Sequence, residues 1–184
     1  MRKLLLIIMT LLLPQIVSAQ SVEAKVKKIR EQYSYAQEIA KWKNTDEWME
    51  HGCHTLEFKS RANYAGGGVV LTNTEVFLDI SDDYERADFN TARPLLTRET
   101  SERSSKVYRE MLFDPDTGAL LFCYQRGLDT DGNTIEWRFY YDNGKLIKSV
   151  PAQTGESMYM SSAEYILGAA EAMRLMILNF NSIY

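Results

Sequence analysis

The chain has 184 residues, a formal net charge of −4, two cysteines and two histidines. An acidic balance without a dense basic cluster excludes a surface that tracks a phosphate backbone, so nucleic acid is not an expected partner. The length is that of one domain able to bury its own core without metals or a set of disulfides.

At the start, Arg2 and Lys3 precede an apolar run from Leu4 to Leu13, followed by Pro14 and Val17-Ser18-Ala19. That order reads as a secretory signal peptide over residues 1–19, with a mature chain beginning near Gln20 and one domain over 20–184. The run is about half the ~20 residues that cross a bilayer as a helix, and a charged stretch follows it, so a retained membrane anchor is not expected. No cysteine stands at the junction to carry a lipid. The expectation is a periplasmic or secreted protein.

From Ser21 to about Lys43, Val22, Val26, Ile29, Tyr33, Ala36 and Ala40 recur in steps of three and four, opposite Lys25, Lys27, Lys28, Arg30 and Glu31. This predicts an amphipathic helix that packs on a sheet, the alternative being a coiled-coil homodimer. Residues His54 to Arg61 alternate with Leu56 and Phe58 on one face, which predicts a strand. Gly66-Gly67-Gly68 predicts a turn or bulge before a second strand from Val69 to Ile80, with Val76, Leu78 and Ile80 together. The mixed-charge stretch Ser81 to Ser105 predicts loop around an edge strand from Leu95 to Thr100, opened by Pro94.

Three turn signals follow: Asp114-Pro115-Asp116-Thr117-Gly118, Asp129-Thr130-Asp131-Gly132-Asn133 and Asp142-Asn143-Gly144. Asp and Asn tolerate left-handed geometry and Gly adopts it freely, as tight hairpins require. They separate Lys106 to Phe113, Ala119 to Gly127, Thr134 to Tyr141 and Lys145 to Val150, a four-stranded antiparallel meander. Ser161-Ser162-Ala163-Glu164 has capping-box spacing and opens a C-terminal helix. Its apolar residues Tyr165, Ile166, Ala169, Met173, Met176, Ile177 and Phe180 circle much of its circumference, which predicts burial. The fold class is therefore α+β: helix, five to seven antiparallel strands, helix.

Residues that could carry chemistry are sparse. His51-Gly52-Cys53-His54 is zinc-compatible, but a site needs a further ligand such as Glu50, Glu57 or Cys123. The ordinary reading makes His51 a loop residue, His54 a strand start and Cys53 half of a disulfide. Export opens a Cys53–Cys123 disulfide, which would close a loop of about 70 residues and stabilise the fold by about 4 kcal/mol. Two separate buried thiols are the alternative.

Asp129-Thr130-Asp131-Gly132-Asn133 departs from a calcium loop, because Gly132 comes fourth and Glu136 eighth, and reads as a hairpin turn. Asp79, Asp82, Asp83, Glu85 and Asp88 lie beside Arg86 and Arg93, a self-neutralising face. No nucleophile elbow, His-Glu-x-x-His or phosphate-binding glycine loop is present, and no cofactor is implied.

Aromatic residues are dense on the meander, and Tyr108, Tyr124 and Tyr140 alternate with others that point the opposite way. If helices cover one face only, these three tyrosines form an exposed binding surface. The residues Ile29-Arg30-Glu31-Gln32-Tyr33-Ser34-Tyr35-Ala36, and the hairpin from Tyr108-Arg109-Glu110-Met111-Leu112-Phe113-Asp114 to Leu120-Leu121-Phe122-Cys123-Tyr124, give the chain its resemblance to small exported proteins of unknown function from gut Bacteroidales. The resemblance implies a soluble envelope protein and transfers no active residue. The leading expectation is a noncatalytic binding or inhibitor-like module for an unknown protein or small molecule. A hydrolase or small-ligand pocket using His51 or His54 as acid–base group or zinc ligand is the second, and a structural homodimer the third.

Overall fold

A computed structural model describes residues 2–47, 54–65, 68–78, 93–102, 106–128, 131–151 and 161–181. The elements are α1 (Arg2–Lys41), β1 (Thr55–Tyr64), β2 (Gly68–Leu78), β3 (Pro94–Glu102), β4 (Lys106–Phe113), β5 (Leu120–Leu128), β6 (Thr134–Asp142), β7 (Lys145–Val150) and α2 (Ala163–Asn181). The seven strands form one antiparallel meander in sequence order. One helix packs on each face, so the α+β architecture has three layers around the sheet.

The predicted meander strands are found within a residue or so at each end, because each hairpin is set by local turn chemistry. Asn143 and Gly144 both take left-handed backbone, at φ 49° and 71°, as a two-residue hairpin of the right twist demands. Asp114 caps its own turn, its Oδ1 accepting from the backbone N of Asp116 at 3.0 Å and of Thr117 at 2.8 Å. Gly118 closes that turn at φ 70°, where a Cβ would also come within 3.2 Å of the Arg174 side chain.

The Leu95–Thr100 strand is not an edge. β3 pairs with β2 on one side and β4 on the other, and the edges are β1 and β7. Its Pro94 does stand at the first position, where a missing N–H costs the ladder little. A short apolar run looks alike at the edge and in the middle of a sheet; pairing with distant strands decides.

Register shifts follow Phe77, Leu112 and Tyr140, all at the same end of the sheet. There the strands are buried on both faces, in runs such as Val76-Phe77-Leu78, Met111-Leu112-Phe113 and Phe139-Tyr140-Tyr141. Bulges bend and twist strands, which lets this end wrap between the helices. The opposite end is open: Lys59, Leu71, Asn73, Glu102, Lys106, Arg126 and Leu128 are exposed. The sheet thus has a dry end and a wet end.

The stripe predicted for α1 is the one it buries. Val26 and Ala36 are fully buried, Ile29 and Ala40 nearly so, and Ile39 joins them beneath the helix. They pack on the row Phe77, Leu96, Leu112, Phe122 and Tyr140. Burying each large aliphatic side chain there contributes about 1.5–3 kcal/mol. Among the described residues no helix is long and apolar enough to cross a membrane.

α2 departs from expectation in two ways. It is not buried around its circumference: Ala163, Ile166, Ala170 and Ile177 face the sheet, while Tyr165, Leu175, Met176 and Leu178 are exposed. Its cap is Ser162, not Ser161. Ser162 Oγ accepts from the Tyr165 backbone N at 3.2 Å, which places Glu164 one position too early to complete a capping box. Ser161 is engaged elsewhere, by Arg109 and Gln125.

Candidate functional site

Alternation in the strands sends every second residue of the wet half toward α1. One cross-strand row on that face reads Glu57, Glu75, Arg98, Glu110, Tyr124, Arg138 from β1 to β6. The next row outward reads Lys59, Asn73, Thr100, Tyr108, Arg126, Glu136. The first row lies under or beside α1 and its C-terminal turn; the second projects past the helix.

Glu110 is the centre of the first row and is 5% exposed. Its carboxylate accepts from Gln37 at 2.7 Å and from Arg98 Nε at 3.1 Å, and the phenols of Tyr33 and Tyr108 both donate to it. Arg98 also donates to the Gln37 side-chain oxygen. Two oxygens offer about four lone-pair sites, so four donors saturate the group. Burial, followed by the hydrogen bond and charge of Glu110, holds the Tyr33 and Tyr108 phenols well above their ordinary pKa. Here the carboxylate is anchored rather than poised, and the phenols stay protonated.

Further along the row, Tyr124 donates to Glu136 at 2.7 Å, and Arg138 donates to the other oxygen of Glu136 at 2.9 Å. Burial and that acceptor push the Tyr124 phenol up to about 12. The Tyr124 hydrogen bond and then Arg138 hold the Glu136 carboxyl below its ordinary value. Tyr108 and Tyr124 meet edge to face at 6.3 Å between centroids and 67°. Arg126 sits over the Tyr108 ring at 5.7 Å and Arg138 over the Tyr124 ring at 5.3 Å. The result is a four-member stack, Arg126, Tyr108, Tyr124, Arg138, in which both phenols and Arg138 are hydrogen-bonded to carboxylates.

Two clefts adjoin this stack on the wet end. One of about 370 Å³ is lined by Thr100, Lys106, Tyr108, Arg126, Leu128 and Thr134. Another, of about 460 Å³, shares Thr100 and Lys106 and continues along Asn73, Thr72 and Lys59 toward β1.

The three tyrosines singled out by alternation do share one face, but not one surface. Both faces carry a helix, so the condition for a bare aromatic face is not met. Tyr140 is 2% exposed and lies beneath Arg30, whose Nε donates to its phenol at 3.2 Å. Tyr108 and Tyr124 are half buried at the helix margin, and only Tyr108 lines one of these two clefts.

His51 and Cys53 lie outside the described residues, as does the acidic segment from Asp79 to Asp88. His54 is half buried at the foot of β1, where its backbone oxygen accepts from Leu78 N at 3.0 Å. Cys123 is a free thiol, wholly buried on the α2 face, and burial pushes it up to about 12. Among the described residues no group of three or more His, Cys, Asp or Glu could hold a metal ion.

Glu110, Arg98, Gln37, Arg126 and Arg138 were not singled out by sequence pattern. Two signals carry part of this network: Tyr108-x-Glu110 at strand spacing, and Tyr33 with Gln37 one helical turn apart. What no local pattern supplies is the pairing of those two segments. No family model matches this chain, and neither a curated protein nor a solved structure does.

Proposed function

We propose that this protein is a noncatalytic binding module of the cell envelope, exported by its N-terminal segment, which seats a partner protein on the open, α1-side end of its sheet around Tyr108 and Tyr124. The observation that carries this reading is the Arg126, Tyr108, Tyr124, Arg138 stack, with its phenols fixed on Glu110 and Glu136 at the edge of two adjoining clefts. Tyrosine and arginine in rigid, partly desolvated positions are the residue types that dominate binding energy at interfaces. Side chains already held in place lose little entropy when a partner arrives. Binding is favoured over acid–base chemistry because the one buried carboxylate among the described residues is saturated and the phenols are driven away from the working pH range.

The test is photocrosslinking in intact producing cells from a reactive residue at Leu128, which is exposed and lines the cleft beside Arg126. An adduct of one mass should form, and Arg126→Ala combined with Tyr108→Phe should abolish it while the urea midpoint stays within the folded range. An adduct that persists unchanged in that variant, or that forms equally from Lys145 at the dry end of the sheet, would remove the reading.

A further inference from the structure

A third cleft lies at the margin of α1 and shares Arg138 with the stack. It measures about 390 Å³ and lies between α1 and strands β5 and β6. Its apolar lining is Ile29 with the rings of Tyr33, Phe122 and Tyr140. These rings are mutually braced, Tyr33 to Phe122 at 4.8 Å and Phe122 to Tyr140 at 5.0 Å between centroids. Ser34 and two guanidinium groups, Arg30 and Arg138, complete it, and no acidic residue is among its described lining.

The charge of Arg30 is only partly answered among the described residues, by the nearby carboxylate of Glu23. Its Nε donates to the phenol oxygen of Tyr140, and its guanidinium lies 5.6 Å from that ring's centroid. Glu23, two helical turns earlier, is taken by Lys148 at 2.6 Å. Among the described residues Arg30 makes no ion pair. Arg138 has one carboxylate, Glu136, and shares it with Tyr124. A cleft with an aromatic wall and two guanidinium groups offers planar, bidentate donors suited to a carboxylate. Its volume falls within the roughly 300–1,000 Å³ of small-ligand pockets.

We propose that this cleft is a binding site for a small organic monocarboxylate with an aromatic or short aliphatic body, its carboxylate held between Arg30 and Arg138 and its body on Tyr33, Phe122 and Tyr140. The apolar wall selects against a bare inorganic anion. The absence of an acidic lining residue selects against a free amino acid, whose ammonium group would face two cations. The site shares Arg138 with the partner surface proposed above but uses neither Tyr108, Tyr124 nor Arg126.

Calorimetric titration of the full mature chain with 4-phenylbutyrate at low ionic strength tests it, with 4-phenylbutan-1-ol, 4-phenylbutylamine and inorganic phosphate as comparisons. The acid should bind at least 10-fold tighter than the alcohol, and the amine and phosphate should not compete. Arg30→Gln should weaken the acid about 10- to 100-fold, the range expected for losing hydrogen bonds to a charged group. Ser34→Phe, a change on the exposed flank of α1 that fills the cleft, should abolish binding without moving the urea midpoint. Arg126→Ala should leave the titration unchanged. Equal binding of acid and alcohol, competition by phosphate, indifference to Arg30→Gln, or no heat at 10-fold excess over about 1 mM probe would each overturn the proposal.

Discussion

The two faces of the sheet hold their helices by different means. α1 crosses from β7 toward β1 and is tied from Glu23 onward by side chains: Glu23 to Lys148, Lys25 to Asp142, Tyr33 and Gln37 to Glu110, and, just past its end, Lys43 to both Glu57 and Glu75. α2 is fastened chiefly at its first turn. Gln125 donates to the Ser161 backbone oxygen at 2.9 Å and accepts from its N–H at 3.3 Å, Arg109 donates to Ser161 Oγ at 2.7 Å, and Tyr141 donates to the Ala163 backbone oxygen at 3.1 Å. Beyond that turn α2 relies on apolar packing and leaves Leu175, Met176 and Leu178 exposed. A helix tied by many polar side chains stops short of the wet end and leaves fixed, charged and aromatic groups at its margin. A helix tied at its first turn keeps the polar groups that hold it, Arg109 and Gln125, buried beneath it. That difference is why both proposed sites lie on the α1 face.

The comparison can be broken most forcefully at Glu110. Glu110→Ala removes the shared acceptor of Tyr33, Gln37, Arg98 and Tyr108 and leaves the partly buried Arg98 charge without it. The expected cost is about 3–5 kcal/mol in urea unfolding, the usual penalty for breaking a buried ion pair from one side. A loss under about 1 kcal/mol would show that the α1 network is a solvated decoration.

On the other face the matching change is Gln125→Leu, which keeps bulk but abandons both Ser161 backbone groups. It should cost about 1–3 kcal/mol and speed hydrogen exchange in the first turn of α2 more than in α1. Equal acceleration in the two helices would mean that the faces are not independently fastened.

The smallest effect is alkaline. Cys123 is pushed from its ordinary value near 9 up to about 12, so above the unfolded pKa the native state holds a proton that the unfolded chain releases. Its stabilising contribution is therefore complete below that ordinary value and is lost as pH rises toward 12. The slope contributed is at most about 1.4 kcal/mol per pH unit. Cys123→Val should flatten the fall in urea midpoint between about pH 8.5 and 9.5, before the tyrosines of the unfolded chain, which ionise near 10, add their own share. An unchanged slope would place the loss on other groups.

Particular elements show where pattern reading stops. The hairpins after β4 and β6 were legible because Asp114 and Asn143-Gly144 fix their own backbone, within a few residues and without help from the rest of the chain. The α1 stripe was legible for the same kind of reason, a period of 3.6 written in consecutive residues. β3 was misplaced at an edge, since Leu95-Leu96-Thr97 states that a strand is buried but not between which neighbours. Ser161 and Ser162 are identical side by side, and only the approach of Arg109 and Gln125 to the first makes the second the cap. Tyr108, Tyr124 and Tyr140 alternate alike, yet the path of α1 over the dry end buries the last and leaves the other two at its margin.

By itself, the sequence determined the α+β class, the order of helices and strands, and which residues share a face, because helix and strand periodicities and turn chemistry act over a few bonds. The tertiary structure alone decided that Glu110 gathers donors from α1, β3 and β4, that Arg30 and Arg138 line one aromatic cleft, and that one end of the sheet stays open. Those outcomes depend on the angle at which α1 crosses the strands. That angle is set by the fit of the whole buried stripe to the bulged end of the sheet, a sum over distant contacts that no short window of residues contains.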